Sequence, residues 1–225
     1  MDISRKSISV ILFTILTFFL LFFHNNVNLS FEKDSDKNGF IDKNVIPICC
    51  AWGPELQDGV LTYSIQSNGD KDEKSTNAVT KAVEKWNENL NGIQLVQTDA
   101  SYTPTGNENI IISFINDGKK AAGKTTNSVD SNGFIRKSYI ALSKEFFNRP
   151  FSNSQLEQVA EHELGHVLGL NHVKFNGNLM STEVNEGSKT ITPCLVEAVN
   201  IANAWKVKDG GVVIHGPTQS AVACK

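Results

Sequence analysis

Three of the five histidines in the chain fall between residues 162 and 172, in the run His162-Glu163-Leu164-Gly165-His166-Val167-Leu168-Gly169-Leu170-Asn171-His172. Imidazoles gathered that closely suit a metal ion. If a helix runs from Gln155 to Leu168, His162 and His166 stand one turn apart on one face and can grip the same ion. Glu163, next to the first ligand, can reach a water at that ion while staying outside its coordination shell, which is the place of a general base. A third ligand from the following helical turn would crowd the site, so the chain must bend. Gly169 tolerates the left-handed helix exit that lets His172 swing in from below. Three neutral imidazoles leave the fourth position of a tetrahedral zinc to solvent, which distinguishes a catalytic site from a closed structural one.

The spacing H-E-x-x-H-x-x-G-x-x-H, with Asn178-Leu179-Met180-Ser181 downstream, resembles the signature and Met-turn of the metzincin zinc endopeptidases. The short stretch from the third histidine to the methionine is similar to the matrixin-like branch. Met180 is one of only two methionines, the other being Met1. The resemblance implies zinc on His162, His166 and His172, Glu163 as general base, Met180 beneath the metal, and a peptide or protein substrate. It covers about residues 60 to 206. There it implies an α/β (α+β) catalytic domain: a twisted mixed sheet with an active-site helix, a Met-turn and a C-terminal helix. In that family one antiparallel edge strand carries the substrate, and Ala121 to Thr126 would be that strand. Thr182 to Lys189 would wall the pocket for the side chain after the scissile bond. Val173 departs from the pattern, since matrixins usually place serine after the third histidine and several other branches place aspartate. The competing reading is a non-catalytic extracellular binding or adhesion protein stabilised by zinc or calcium. Its mark would be a fourth protein ligand closing the zinc, and the sequence offers no well-placed one.

Other elements must hold this site. Ser152 or Ser154 caps the active-site helix, each followed three residues on by Gln155 or Glu157, and Leu156, Val159, Ala160, Leu164, Val167 and Leu168 form its buried side. Val79, Val83, Trp86 and Leu90 recur at helical spacing between Asn77 and Leu90, capped by Ser75 or Thr76 and stopped by Asn91-Gly92. Thr192 and Pro193 open a last helix with Leu195, Val199, Ala202 and Trp205 on its inner stripe. Strands are predicted at Val60 to Ile65, Ile93 to Gln97, Asn109 to Ile115 and Tyr139 to Leu142. Asp130-Ser131-Asn132-Gly133 makes an Asx-type turn into Phe134. His215 stands alone in the tail and reads as a surface residue.

At 225 residues, 40% apolar and 20% charged, the chain suits one catalytic domain with appendages. A net charge of −3 without basic clusters gives no footprint for nucleic acid. Arg5 and Lys6 precede an apolar run from Ile8 to Phe23, so residues 1–24 read as a signal peptide or membrane anchor that sends the rest outside the cell. Residues 25–59 read as a linker. Within it Asp34, Asp36, Asn38 and Asp42 match the opening of an EF-hand-like calcium loop, although Val45 stands at the twelfth position. Cys49, Cys50, Cys194 and Cys224 suit two disulfides in an oxidising compartment. Because a bond between neighbours is strained, Cys49 and Cys50 are expected to bridge separately to Cys194 and Cys224. Residues 207–225 form a C-terminal tail.

Overall fold

The computed structural model describes residues 44–56, 58–66, 72–98, 108–115, 121–146, 149–182, 189–204, 216–217 and 219–224. The export segment, the calcium-like loop, Trp205, His215 and residues 183–188 of the expected pocket wall lie outside them. Among the described residues no helix is long and apolar enough to cross a membrane.

The described residues form, in chain order, β1 (Val45–Pro47), β2 (Ala51–Trp52), β3 (Val60–Gln66), α1 (Glu73–Asn89), β4 (Gln94–Gln97), β5 (Ile110–Ile115), β6 (Gly123–Val129), β7 (Phe134–Ser143), β8 (Glu145–Phe146), β9 (Arg149–Pro150), α2 (Asn153–Val167), α3 (Pro193–Ala202) and β10 (Ala221–Ala223). The main sheet runs β2-β7-β5-β3-β4, with β6 also on β7. All its pairings are parallel except β6 with β7, so the sheet is mixed. β5 lies inside the sheet, between β3 and β7, as its apolar run demands, and it buries Ile110 and Ile112. β6 pairs with β7 alone among the described residues. It runs from Gly123 to Val129, three residues past the end predicted for it.

α1 connects the parallel strands β3 and β4 and buries Ala78, Val79, Ala82, Val83 and Trp86. Its cap is not Ser75 or Thr76 but Asp72, whose carboxylate accepts from Ser75 N at 3.1 Å and from Ser75 Oγ at 2.7 Å. A carboxylate that reaches both donors displaces a hydroxyl as cap. α1 packs against α2, and the buried Trp86 indole donates to Glu161 O at 2.9 Å. Ser152 caps α2 in a reciprocal box with Gln155, and Thr192 caps α3 with Pro193 in its first turn. Asp130 Oδ1 accepts from Asn132 N and Phe134 N, which makes the expected Asx turn.

Two expectations fail at the ends of the folded unit. Residues 45–52, read as linker, form β1 and β2, and β2 joins the main sheet beside β7. Part of the expected tail returns as β10, antiparallel to β1. That register also overturns the predicted cysteine pairing. Cys49 bonds Cys50, and Cys194 bonds Cys224 across a Cα separation of 5.6 Å. Val45 faces Ala223 and Pro47 faces Ala221, so the antiparallel run carries Cys224 to Asn44, where its N–H donates to Asn44 O. Five residues of extended chain from there to Cys49 span about 16 Å, well past disulfide reach.

Candidate metal centre

The active-site helix α2 is held at its carboxyl end by side chains from three separate parts of the chain. Asn127 of β6 donates to His166 O at 2.9 Å, Trp52 of β2 donates its indole N–H to Val167 O at 2.8 Å, and Asn203 donates to Leu168 O at 3.1 Å. Helix ends expose such carbonyls, and leaving them unsatisfied in the interior is costly. Gly169 then takes φ +100°, with Gly169 N bonded to His166 O and Leu170 N to Gly165 O. These two bonds form a Schellman stop, the left-handed exit that the spacing requires. The end of β1 and the residues after it clasp this bend: Cys49 N donates to Gly169 O at 2.9 Å and Asn171 N to Pro47 O at 2.8 Å.

The bend delivers His172 to the two helical histidines. The three Nε2 atoms stand 3.1 Å (His162 to His166), 3.2 Å (His162 to His172) and 3.2 Å (His166 to His172) apart. Ligand nitrogens at about 2.0–2.1 Å from a tetrahedral zinc lie about 3.3–3.4 Å from each other, so the triangle has the size of a zinc tripod. The protonation pattern agrees. His162 Nδ1 lies 2.7 Å from Leu179 O and His166 Nδ1 lies 2.8 Å from Leu170 O. A carbonyl oxygen only accepts, so both Nδ1 atoms carry the proton and both Nε2 atoms present lone pairs. Two lone pairs at 3.1 Å repel unless a cation lies between them. The residues therefore fit the zinc expected of them, with two carbonyls as outer supports. Burial pushes the His162 and His166 imidazoles down to about 4 and lowers His172 as well, which keeps the tripod neutral. Among the described residues no fourth histidine, cysteine or carboxylate joins the group.

Glu163 is buried beside this tripod, and burial pushes its carboxyl up to about 7 against the opposing hydrogen bond from Thr125. A group that exchanges its proton near neutrality is suited to general acid and base work. Met180 is fully buried, and its N–H donates to Asn178 Oδ1 at 2.8 Å. Val173 N donates to Met180 O at 3.0 Å, which closes the loop from the third histidine back onto the turn. Lys189, at the end of the expected pocket wall, is buried with Nζ 2.6 Å from Ser181 Oγ.

The three histidines come together and Gly169 takes a left-handed turn as the spacing predicts, whereas nothing in the sequence points to Trp52, Gly123, Thr125, Asn127 or Gly165 as their supports. Gly123, Thr125 and Asn127 face α2 by the two-residue period of β6, but the polar run around them shows no apolar alternation that would reveal it. Gly165 was readable as a helical glycine with no propensity reason to be there.

The family model of matrixins, peptidase family M10, matches residues 51–193. No curated protein matches the chain.

Proposed function

The chain belongs to the matrixin family of zinc metalloproteases, and on that premise we propose that it is an exported zinc endopeptidase that hydrolyses peptide bonds in protein substrates. His162, His166 and His172 hold the zinc, which supplies Lewis acidity toward a carbonyl and toward water. Glu163 takes a proton from the attacking water and returns it to the departing amine nitrogen. The edge of β6 away from β7 takes the substrate as an added extended strand, which aligns the scissile bond beside Glu163. Met180 underlies the tripod as part of its floor.

The observation that carries this reading is the convergence of three imidazole nitrogens, two with their lone pairs fixed inward, next to a buried carboxyl of raised pKa. Among the described residues no fourth protein ligand joins the tripod, which favours catalysis over a structural staple. Export is supported by the basic flank and apolar run at residues 5–23 and by the two disulfides.

The test is digestion of an unfolded protein by zinc-loaded enzyme, by enzyme stripped with a chelator, and by stripped enzyme given zinc again. Cleavage that is lost and restored with the metal supports the proposal. No cleavage by protein carrying one zinc per chain overturns it.

A further inference from the structure

β6 does more than border the sheet. Along it Gly123, Thr125 and Asn127 are partly buried while Lys124, Thr126 and Ser128 are exposed. The inward set faces α2 at its reactive residues. Thr125 Oγ1 lies 2.6 Å from Glu163 Oε2 and 3.1 Å from Glu163 O. A Cβ at Gly123 would lie 2.5 Å from Glu163 Oε1, 2.8 Å from its Cγ and 2.9 Å from its Cδ. No side chain larger than hydrogen therefore fits at position 123 with Glu163 where it is.

We propose that Gly123 and Thr125 form a cradle that aims the Glu163 carboxylate, with Thr125 as a positioning residue and Oε1 as the oxygen that takes the proton. The inference rests on the peptidase reading of the site. A free glutamate side chain has three rotatable bonds, and a general base must lie within hydrogen-bond reach of the proton it removes. Thr125 donates its single hydroxyl proton to Oε2 when the carboxylate is ionised, which lowers the basicity of that oxygen. Oε1, over the bare backbone of Gly123, keeps the greater affinity for a proton. The strand that we propose to receive the substrate thus also orients the base, so both are built on one rigid element.

The experiment compares T125V, T125S and G123A with the parent, each at one zinc per chain and with its thermal midpoint measured. T125V is expected to lose about 10- to 100-fold in kcat, the scale of a misplaced catalytic group, while KM stays within about twofold. T125S should recover most of the lost kcat, since it restores the hydroxyl, and G123A should lose kcat because its methyl displaces the carboxylate. A T125V enzyme with parental kcat, or one whose loss tracks a fall in zinc content or thermal midpoint, overturns the inference. If T125V does not fold, T125A and T125S make the same comparison, differing from each other by the hydroxyl alone. Should the parent itself be inactive, the proposed function fails separately. The cradle is then read from crystal structures of the zinc-loaded parent and T125V. A Glu163 carboxylate that turns away in the variant supports it, and one in the same place in both overturns it.

Discussion

Met180 occupies the space that a side chain at position 165 would need. A Cβ built on Gly165 collides with Met180 Sδ, and both residues are buried. The Met-turn can therefore press against the active-site helix only where that helix carries glycine. Its Leu179 carbonyl in turn reaches His162 Nδ1. G165A should gain helix propensity and lose stability overall, by about 1–3 kcal/mol for overpacking. Urea denaturation of the zinc-free protein measures this, and zinc affinity should fall with it as Leu179 shifts.

Trp52 ties the start of the folded unit to the end of α2 through its bond to Val167 O. W52F keeps most of the apolar bulk and leaves that buried carbonyl without its donor, at a cost of about 1–3 kcal/mol. Chemical denaturation checks the magnitude. A truncated chain beginning at residue 60 should fail to fold, because the truncation removes β1, β2 and the clasp on Gly169.

The site was more legible in the sequence than its supports. Histidines at a fixed spacing and a glycine at a helix exit are local signals, and both survive folding because one turn of chemistry depends on them. Thr125 and Trp52 act across 38 and 115 residues of sequence separation, and nothing local to either announces its partner. The cysteines failed for the same reason. Local geometry argued against a bond between Cys49 and Cys50, but the pairing was decided by the register of β10 on β1, set by the main chain. Asp72 was overlooked because Ser75 and Thr76 are equally good caps by type, and only the direction of the side chains separates them.

His162 and His166 carry pKa values of about 4 in the folded protein, against an ordinary 6.5, because burial disfavours their charged forms. The unfolded chain thus binds more protons between those values. The part of the zinc-free protein's stability that these two imidazoles control should be full above about pH 6.5 and fall as pH drops toward 4, and Glu163, raised to about 7, offsets part of it with the opposite sign. Thermal midpoints of zinc-free protein across that window check the sign. H162Q and H166Q variants should show a shallower decline.

Asp72 is held at about 2, below its ordinary 3.8, chiefly by the hydrogen bond from Ser75 and with help from Lys144 at 3.1 Å. Its contribution is present above pH 3.8 and is lost as pH falls toward 2. D72A should lose about 1 kcal/mol at neutral pH through the missing cap. D72N should retain much of the cap and lose the pH dependence. Difference denaturation curves for parent and variants between about pH 5 and pH 2 measure both effects.

In the proposed mechanism a metal tripod and a separate carboxylate divide the chemistry between them, and the most direct test of that division is the turnover of E163A on an unfolded protein substrate, measured on enzyme shown to carry one zinc per chain. Parental zinc content and thermal midpoint are expected, with turnover lowered by about 10²- to 10⁴-fold, the share a general base supplies. Turnover by zinc-loaded E163A at the parental rate would contradict it.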